Sequence, residues 1–172
     1  DTGNAKHILV SWSRVNEAEC YNIYRSDKEA AIGTTAATSF KDTTAAPGTY
    51  TYRVEAVKSD ITSEKSAQSN TVRIDIDTVT NVVATVKSHS EIELKWTPVE
   101  GANYYMVSCG EGTPVKATTN SCTFNNLTGH KEYSFEVQAF ANSEVYSAKA
   151  ASPEVTTLVA PIENLDIKRN DN

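Results

Sequence analysis

The stretch Tyr133-Ser134-Phe135-Glu136-Val137-Gln138-Ala139 sets an apolar or aromatic side chain at every second position, with a polar one between. Successive side chains of a strand point to opposite faces, so a period of two describes a strand with one face in a core. Tyr50-Thr51-Tyr52-Arg53-Val54-Glu55-Ala56 carries the same pattern, and Tyr133 follows it 83 positions after Tyr50. Working outward, Ile92, Leu94 and Trp96 repeat Ile8, Val10 and Trp12, while Tyr105 and Val107 repeat Tyr21 and Ile23. Trp96 lies 84 positions after Trp12. No helical stripe competes with this alternation. Short strands separated by polar turn clusters, duplicated at this long interval, describe an all-β sandwich present twice rather than a solenoid.

The turns agree. Ala46-Pro47-Gly48 precedes the Tyr50 strand, Glu100-Gly101-Ala102 precedes the Tyr105 strand, and Glu111-Gly112-Thr113-Pro114 follows it. The joint is different, since residues 70–81 contain neither Gly nor Pro, and Val72, Ile74 and Ile76 keep alternating. The expectation is a last strand that runs almost directly into the next module, giving two sandwiches stiffly joined end to end. The modules span residues 1–76 and 77–159, with 160–172 as a linker or the first strand of a further module. Counting back 84 from Asn81–Val86 leaves the first module without most of its first strand. Asn164, Leu165 and Ile167 match Asn81, Val82 and Ala84 at an offset of 83, so the tail reads as an opening strand that could fill such an edge in a neighbouring molecule.

A net charge of −6 and a pI near 5.1, with sixteen scattered basic residues, argue against nucleic acid as a partner, because phosphate affinity comes from clustered Lys and Arg. No apolar run approaches the ~18 residues that cross a bilayer, so no membrane insertion is expected. No signal segment opens the sequence, and it reads as a piece of a longer protein. Three cysteines without C-x-x-C spacing suggest neither a disulfide framework nor a zinc site.

With these elements placed, the sequence resembles the fibronectin type III family over nearly its whole length. The resemblance rests on Leu94-Lys95-Trp96-Thr97-Pro98-Val99, Tyr105-Met106-Val107, and Leu127-Thr128-Gly129 leading to the Tyr133 strand. The first repeat supplies Val10-Ser11-Trp12-Ser13, Tyr21-Asn22-Ile23-Tyr24-Arg25 and the Tyr50 strand. It implies an all-β chain of two tandem immunoglobulin-like (fibronectin type III) β-sandwiches. The structural core is Trp12, Tyr21, Tyr50, Trp96, Tyr105, Leu127 and Tyr133, with Tyr50 and Tyr133 as tyrosine corners. Tyr24-Arg25-Ser26 and Asp42-Thr43-Thr44, followed by Pro47-Gly48-Thr49-Tyr50, look like the bacterial variety, which is common as a spacer in secreted hydrolases and surface adhesins. On that ground the protein is expected to be secreted or on the cell surface. No Arg-Gly-Asp occurs in the loops at 58–63 and 141–145, so the resemblance implies no integrin binding by that route.

Candidate chemistry is sparse. His7, His89 and His130 fall in loops or near the start of the sequence, without a serine or cysteine elbow, so no catalytic residue is assigned. Asp75 and Asp77 would share a strand face but lack the six or more oxygens calcium wants, so no metal or cofactor is expected. Gly110-Glu111-Gly112 is a turn without a following helix, unlike a phosphate loop. Cys109 and Cys122 should point into the core, separated by a strand at 115–118, and remain free thiols. Tyr24, Tyr104 and Tyr146 are the outward-facing aromatics, read as scattered over two modules. The expected role is a non-catalytic spacer that positions neighbouring domains of the same polypeptide. The alternative is a module that itself binds a protein or polysaccharide.

Overall fold

The structure is a computed structural model that describes residues 6–163 and residue 166. It separates into two compact units, Asp1–Asp75 and Ile76–Asn172. Every element among the described residues is a strand. The first unit holds β1 (Ile8–Ser11), β2 (Cys20–Arg25), β3 (Gly33–Thr35), β4 (Ser39–Asp42), β5 (Gly48–Tyr50), β6 (Tyr52–Lys58), β7 (Ile61–Thr62) and β8 (Val72–Ile74). The second holds β9 (Thr80–Val86), β10 (Ile92–Thr97), β11 (Tyr104–Cys109), β12 (Val115–Ala117), β13 (Ser121–Phe124), β14 (Glu132–Tyr133), β15 (Phe135–Phe140), β16 (Ala150–Ala151) and β17 (Val155–Thr156). All pairings are antiparallel, and both units are built on one frame. A four-stranded sheet ordered β3-β2-β6-β7 in the first unit is matched by β12-β11-β15-β16 in the second. The β1–β4 pair corresponds to β10–β13, to which the second unit adds β9.

Register makes the two frames superimposable residue by residue. Cys20 faces Val57 and Tyr21 faces Ala56, as Tyr104 faces Phe140 and Tyr105 faces Ala139. Ile8 opposite Asp42 corresponds to Ile92 opposite Phe124. The alternation puts Tyr21, Ile23, Tyr50 and Tyr52 into the first core and Ile92, Leu94, Trp96, Tyr105, Val107, Phe135, Val137 and Ala139 into the second. In each unit a tryptophan packs edge-on against a tyrosine. Trp12 and Tyr21 lie 5.2 Å apart at 66°, and Trp96 and Tyr105 lie 5.1 Å apart at 66°. That T-shaped contact satisfies the ring quadrupoles and adds to the area each ring buries. The two tyrosine hydroxyls accept from the amides of Val15 and Val99, both at 2.9 Å. Gly33 lets Phe40 lie flat across β3, since a Cβ there would meet the ring at 2.5 Å.

Three expectations change. The strand read as continuous from Tyr50 to Ala56 is interrupted at Thr51, whose amide bonds the Ser26 hydroxyl and whose carbonyl accepts from the Ser26 amide. The partner strand β2 ends at Arg25, so Thr51 is held by the turn beyond it rather than by the ladder. A break at Ser134 separates β14 from β15 in the same way. The alternating run Val72, Ile74, Ile76 does not continue as a strand either, because β8 stops at Ile74 and Ile76 is buried in the second core. The proposed tail residues Asn164, Leu165 and Ile167 lie outside the described residues.

In each unit the segment that follows β6 or β15 is tied to that strand by hydroxyls. Ser63, Ser66 and Ser69 each donate their amide to a carbonyl of β6 (Ala56, Val54 and Tyr52) at 2.8–2.9 Å. Each also accepts that same residue's amide on its Oγ at 2.9–3.0 Å. One serine therefore closes both backbone groups of one β6 residue, and three rim residues pass for every two of the partner. Ser147 and Ser152 repeat the device against Ala139 and Phe135.

Candidate functional site

Two features stand out against this shared frame. The first is a buried polar cluster in the first unit. Arg25 ends β2 and Asp42 ends β4, and their side chains are 4% and 1% exposed. The guanidinium donates from Nη1 to Asp42 at 2.8 Å and to the Thr44 hydroxyl at 3.1 Å, and from Nε to Asp27 at 2.6 Å. The Tyr52 hydroxyl also donates to Asp42 at 2.8 Å. Burial pushes the Asp42 carboxyl up, but bonds from the Thr44 amide and hydroxyl, Tyr52 and Arg25 outweigh it and hold it down at about 2. Burial first, and then the bond to Asp42, push the Tyr52 hydroxyl up. A carboxylate so fully bonded cannot take up a proton near neutrality, so the cluster holds structure rather than doing acid–base work. By register its counterparts in the second unit are Cys109, Phe124 and Phe135, with the two rings 5.0 Å apart.

The second feature is the outer face of the second unit's four-stranded sheet. Tyr104 stacks on Phe140 at 4.9 Å and 10°, and Phe140 meets Tyr146 at 5.3 Å. The Lys116 ammonium caps the other face of Tyr104 at 4.1 Å. Tyr146 is 48% exposed. Next along the sheet lie Met106 and Gln138, then Ser108 and Glu136. Gln138 donates to the Ser147 carbonyl at 2.7 Å, and Lys149 pairs with Glu136 at 2.6 Å. Met106, Ser108, Glu136, Gln138 and Lys149 line, with Gly110, Glu111, Gly112 and Pro114 of the turn, a depression of about 190 Å³. Tyr104 and Tyr146 are therefore not scattered, contrary to the sequence reading. Phe140, which that reading did not single out, joins them, because cross-strand neighbours become visible only once the register is known.

The other singled-out residues have structural places. Trp12, Leu127 and Tyr133 are partly buried against the cores, while Tyr21, Tyr50, Trp96 and Tyr105 lie within or beside them. The Tyr50 hydroxyl donates to the Ala46 carbonyl and the Tyr133 hydroxyl accepts from the Thr128 amide, both at 2.8 Å. Cys20, Cys109 and Cys122 are free, with Cys109 and Cys122 in different sheets. Burial pushes both of those thiols up, which leaves little thiolate for nucleophilic work. Asp75 bonds Arg73 at 2.6 Å, and no cluster of metal ligands occurs among the described residues. His130 sits in a turn with φ of 52°.

Two antiparallel sandwiches on one frame, each with an edge-on Trp–Tyr pair, give the chain an all-β fold of the fibronectin type III kind. Residues 77–156 match the family model for the Fibronectin type III domain. The chain is similar to a two-fibronectin type III domain segment of chicken tenascin at 16% identity, over 88% of this chain and 92% of that one, with a TM-score of 0.63. It is also similar to three such domains of chicken CNTN1 at 20% identity, over 88% and 60% of the chains, with a TM-score of 0.45. Chitinase ChiA74 from Bacillus thuringiensis is similar at 32% identity over 47% of this chain and 13% of that one, with a TM-score of 0.42. No curated protein matches the sequence. Fibronectin type III domains are commonly structural or binding modules of extracellular proteins and are generally non-catalytic.

Proposed function

We propose that this pair of sandwiches is a non-catalytic spacer in a larger secreted or cell-surface protein of bacterial type, setting the separation of neighbouring catalytic or binding domains. The observation that supports it is where the polar chemistry is spent. The best-placed acid, Asp42, is locked by Arg25, Thr44 and Tyr52, and the hydroxyls of Ser63, Ser66, Ser69, Ser147 and Ser152 bond backbone. Groups consumed in holding strands are not available to a reacting substrate. Clamping the segment that follows β6 or β15 onto that strand suits a module that transmits position to the next domain of the polypeptide.

A domain swap tests the reading. In a polypeptide that carries the pair between two other domains, residues 6–163 are deleted or replaced by two unrelated sandwiches of equal length. Activity on an insoluble or surface-attached substrate should fall on deletion and return with the replacement. A replacement as damaging as the deletion would overturn the spacer role.

A further inference from the structure

The two units are copies of one frame, so each serves as a control for the other. Tyr104, Phe140, Tyr146 and Lys116 occupy the register positions held in the first unit by Cys20, Val57, Thr62 and Thr34. The first unit builds the same four-stranded sheet without a single ring in that row. The aromatic row is therefore surplus to the fold, and it leaves Tyr146 about half exposed. On the equivalent face of the first unit the polar groups are closed on one another. Asn22 and Tyr24 both donate to Glu55, Thr34 donates to Asn22, and Lys65 sits 3.5 Å over the Tyr24 ring.

We infer that the outer face of the second unit's four-stranded sheet binds a β-linked, gluco-configured polysaccharide, with Tyr146 as the stacking ring and Gln138 and Glu136 as the hydroxyl partners. Ring faces decide the placement. Tyr104 is covered by Lys116 on one side and by Phe140 on the other, so the inner rings serve as a buttress. Tyr146 ends the row, with Phe140 as its ring neighbour, and can offer a face. A pyranose with equatorial substituents has a flat C–H surface that suits such a ring, and it carries its hydroxyls around the rim. The rim would meet planar side chains that are already oriented. Gln138 is fixed by the Ser147 carbonyl next to Tyr146, and Glu136 by Lys149. Same-face residues two apart on a strand are spaced by about 7 Å, so the aromatic row and the Gln138 and Glu136 rows span about 14 Å. A run of two or three sugar rings covers that length. The shallow depression of about 190 Å³ suits one ring of such a chain rather than a whole small-molecule ligand. α-Linked chains coil away from a flat surface and would not follow the rows.

Affinity electrophoresis of the 172-residue chain in gels containing hydroxyethyl cellulose, glycol chitin or dextran tests this directly. Retardation by at least one of the two β-linked polymers, and not by dextran, is expected. Tyr146→Ala should weaken it at least tenfold, Tyr146→Phe should retain it, and Gln138→Ala should weaken it. Tyr24→Ala, which alters the equivalent face of the first unit, should change nothing. Unaltered circular dichroism and thermal midpoint would confirm that the variants at these partly exposed positions remain folded. The inference fails if neither β-linked polymer retards the protein, if dextran retards it equally, if Tyr146→Ala binds as before, or if Tyr24→Ala removes binding as fully.

Discussion

At the scale of single residues, Arg25, Asp42 and Tyr52 set up a comparison that the second unit has already made with Cys109, Phe124 and Phe135. A buried ion pair is weak evidence of net stabilisation, yet removing one partner strands the other charge. Asp42→Asn is accordingly expected to cost the first unit about 3–5 kcal/mol. The combined change Arg25→Cys, Asp42→Phe and Tyr52→Phe, which imports the apolar set, should recover much of that loss. Urea unfolding followed through Trp12 in a Trp96→Phe background reads the first unit alone, because the chain has two tryptophans. Acid gives the same test without mutation. The carboxyl of Asp42 lies near 2 in the folded state and at about 3.9 when unfolded, so the unfolded chain binds its proton first. The stabilisation is therefore complete above about pH 5 and is lost as the pH falls through 4 and below 2, about 2.5 kcal/mol in all. The second unit has phenylalanines in the matching places and no buried carboxyl among its described residues, so its acid loss should be smaller when Trp96 is followed in a Trp12→Phe background. The resemblance singled out Arg25 and Asp42-Thr43-Thr44 but not that they meet, because both sit at strand ends where a charge reads as solvated.

Among the elements, strands were the most legible part. Large side chains at every second position announce themselves, and the repeat of Trp and Tyr located the same frame twice. The segment 63–69 that runs beside β6 was not legible, because Ser63-x-x-Ser66-x-x-Ser69 has a period of three and small polar residues, which reads as loop. Its bonds make a definite expectation. Ser66→Ala removes the acceptor of the Val54 amide and should destabilise the first unit by about 1–2 kcal/mol. Hydrogen exchange at Val54 should quicken more than at Ile23, and equal change at both would show that the hydroxyl is incidental. The tyrosine corner belongs to the same scale. Tyr50→Phe keeps the ring and deletes the bond to the Ala46 carbonyl, with a cost of about 1 kcal/mol expected in the same urea assay. The aromatic row escaped the sequence for a different reason. Tyr104 is far from Phe140 in sequence and is brought beside it only by the pairing of β11 with β15, while an isolated bridge from Phe140 to Tyr146 adds the third ring.

For the molecule as a whole, each unit has its own core, and the division falls between Asp75 and Ile76. Ile76 is 5% exposed within the second core, so a fragment of residues 76–163 should fold by itself and show cooperative unfolding at Trp96. Ile76→Ala in that fragment should cost about 2–4 kcal/mol, whereas a loss near zero would place the true start of the module later. Chains that string like modules together face a hazard that single domains escape, since tethering raises the effective concentration of each neighbour's strands to millimolar levels. Strand exchange and fibrous templating need a rim with regularly pleated, unpaired backbone. The serine rim of the first unit takes three residues to cover what two cover in β6, about 7 Å, so its backbone is puckered out of strand spacing. A foreign strand finds no matching run of donors and acceptors there. The hydroxyls that close each sandwich thus also insulate it, so that adjacent copies can share one polypeptide without trading parts.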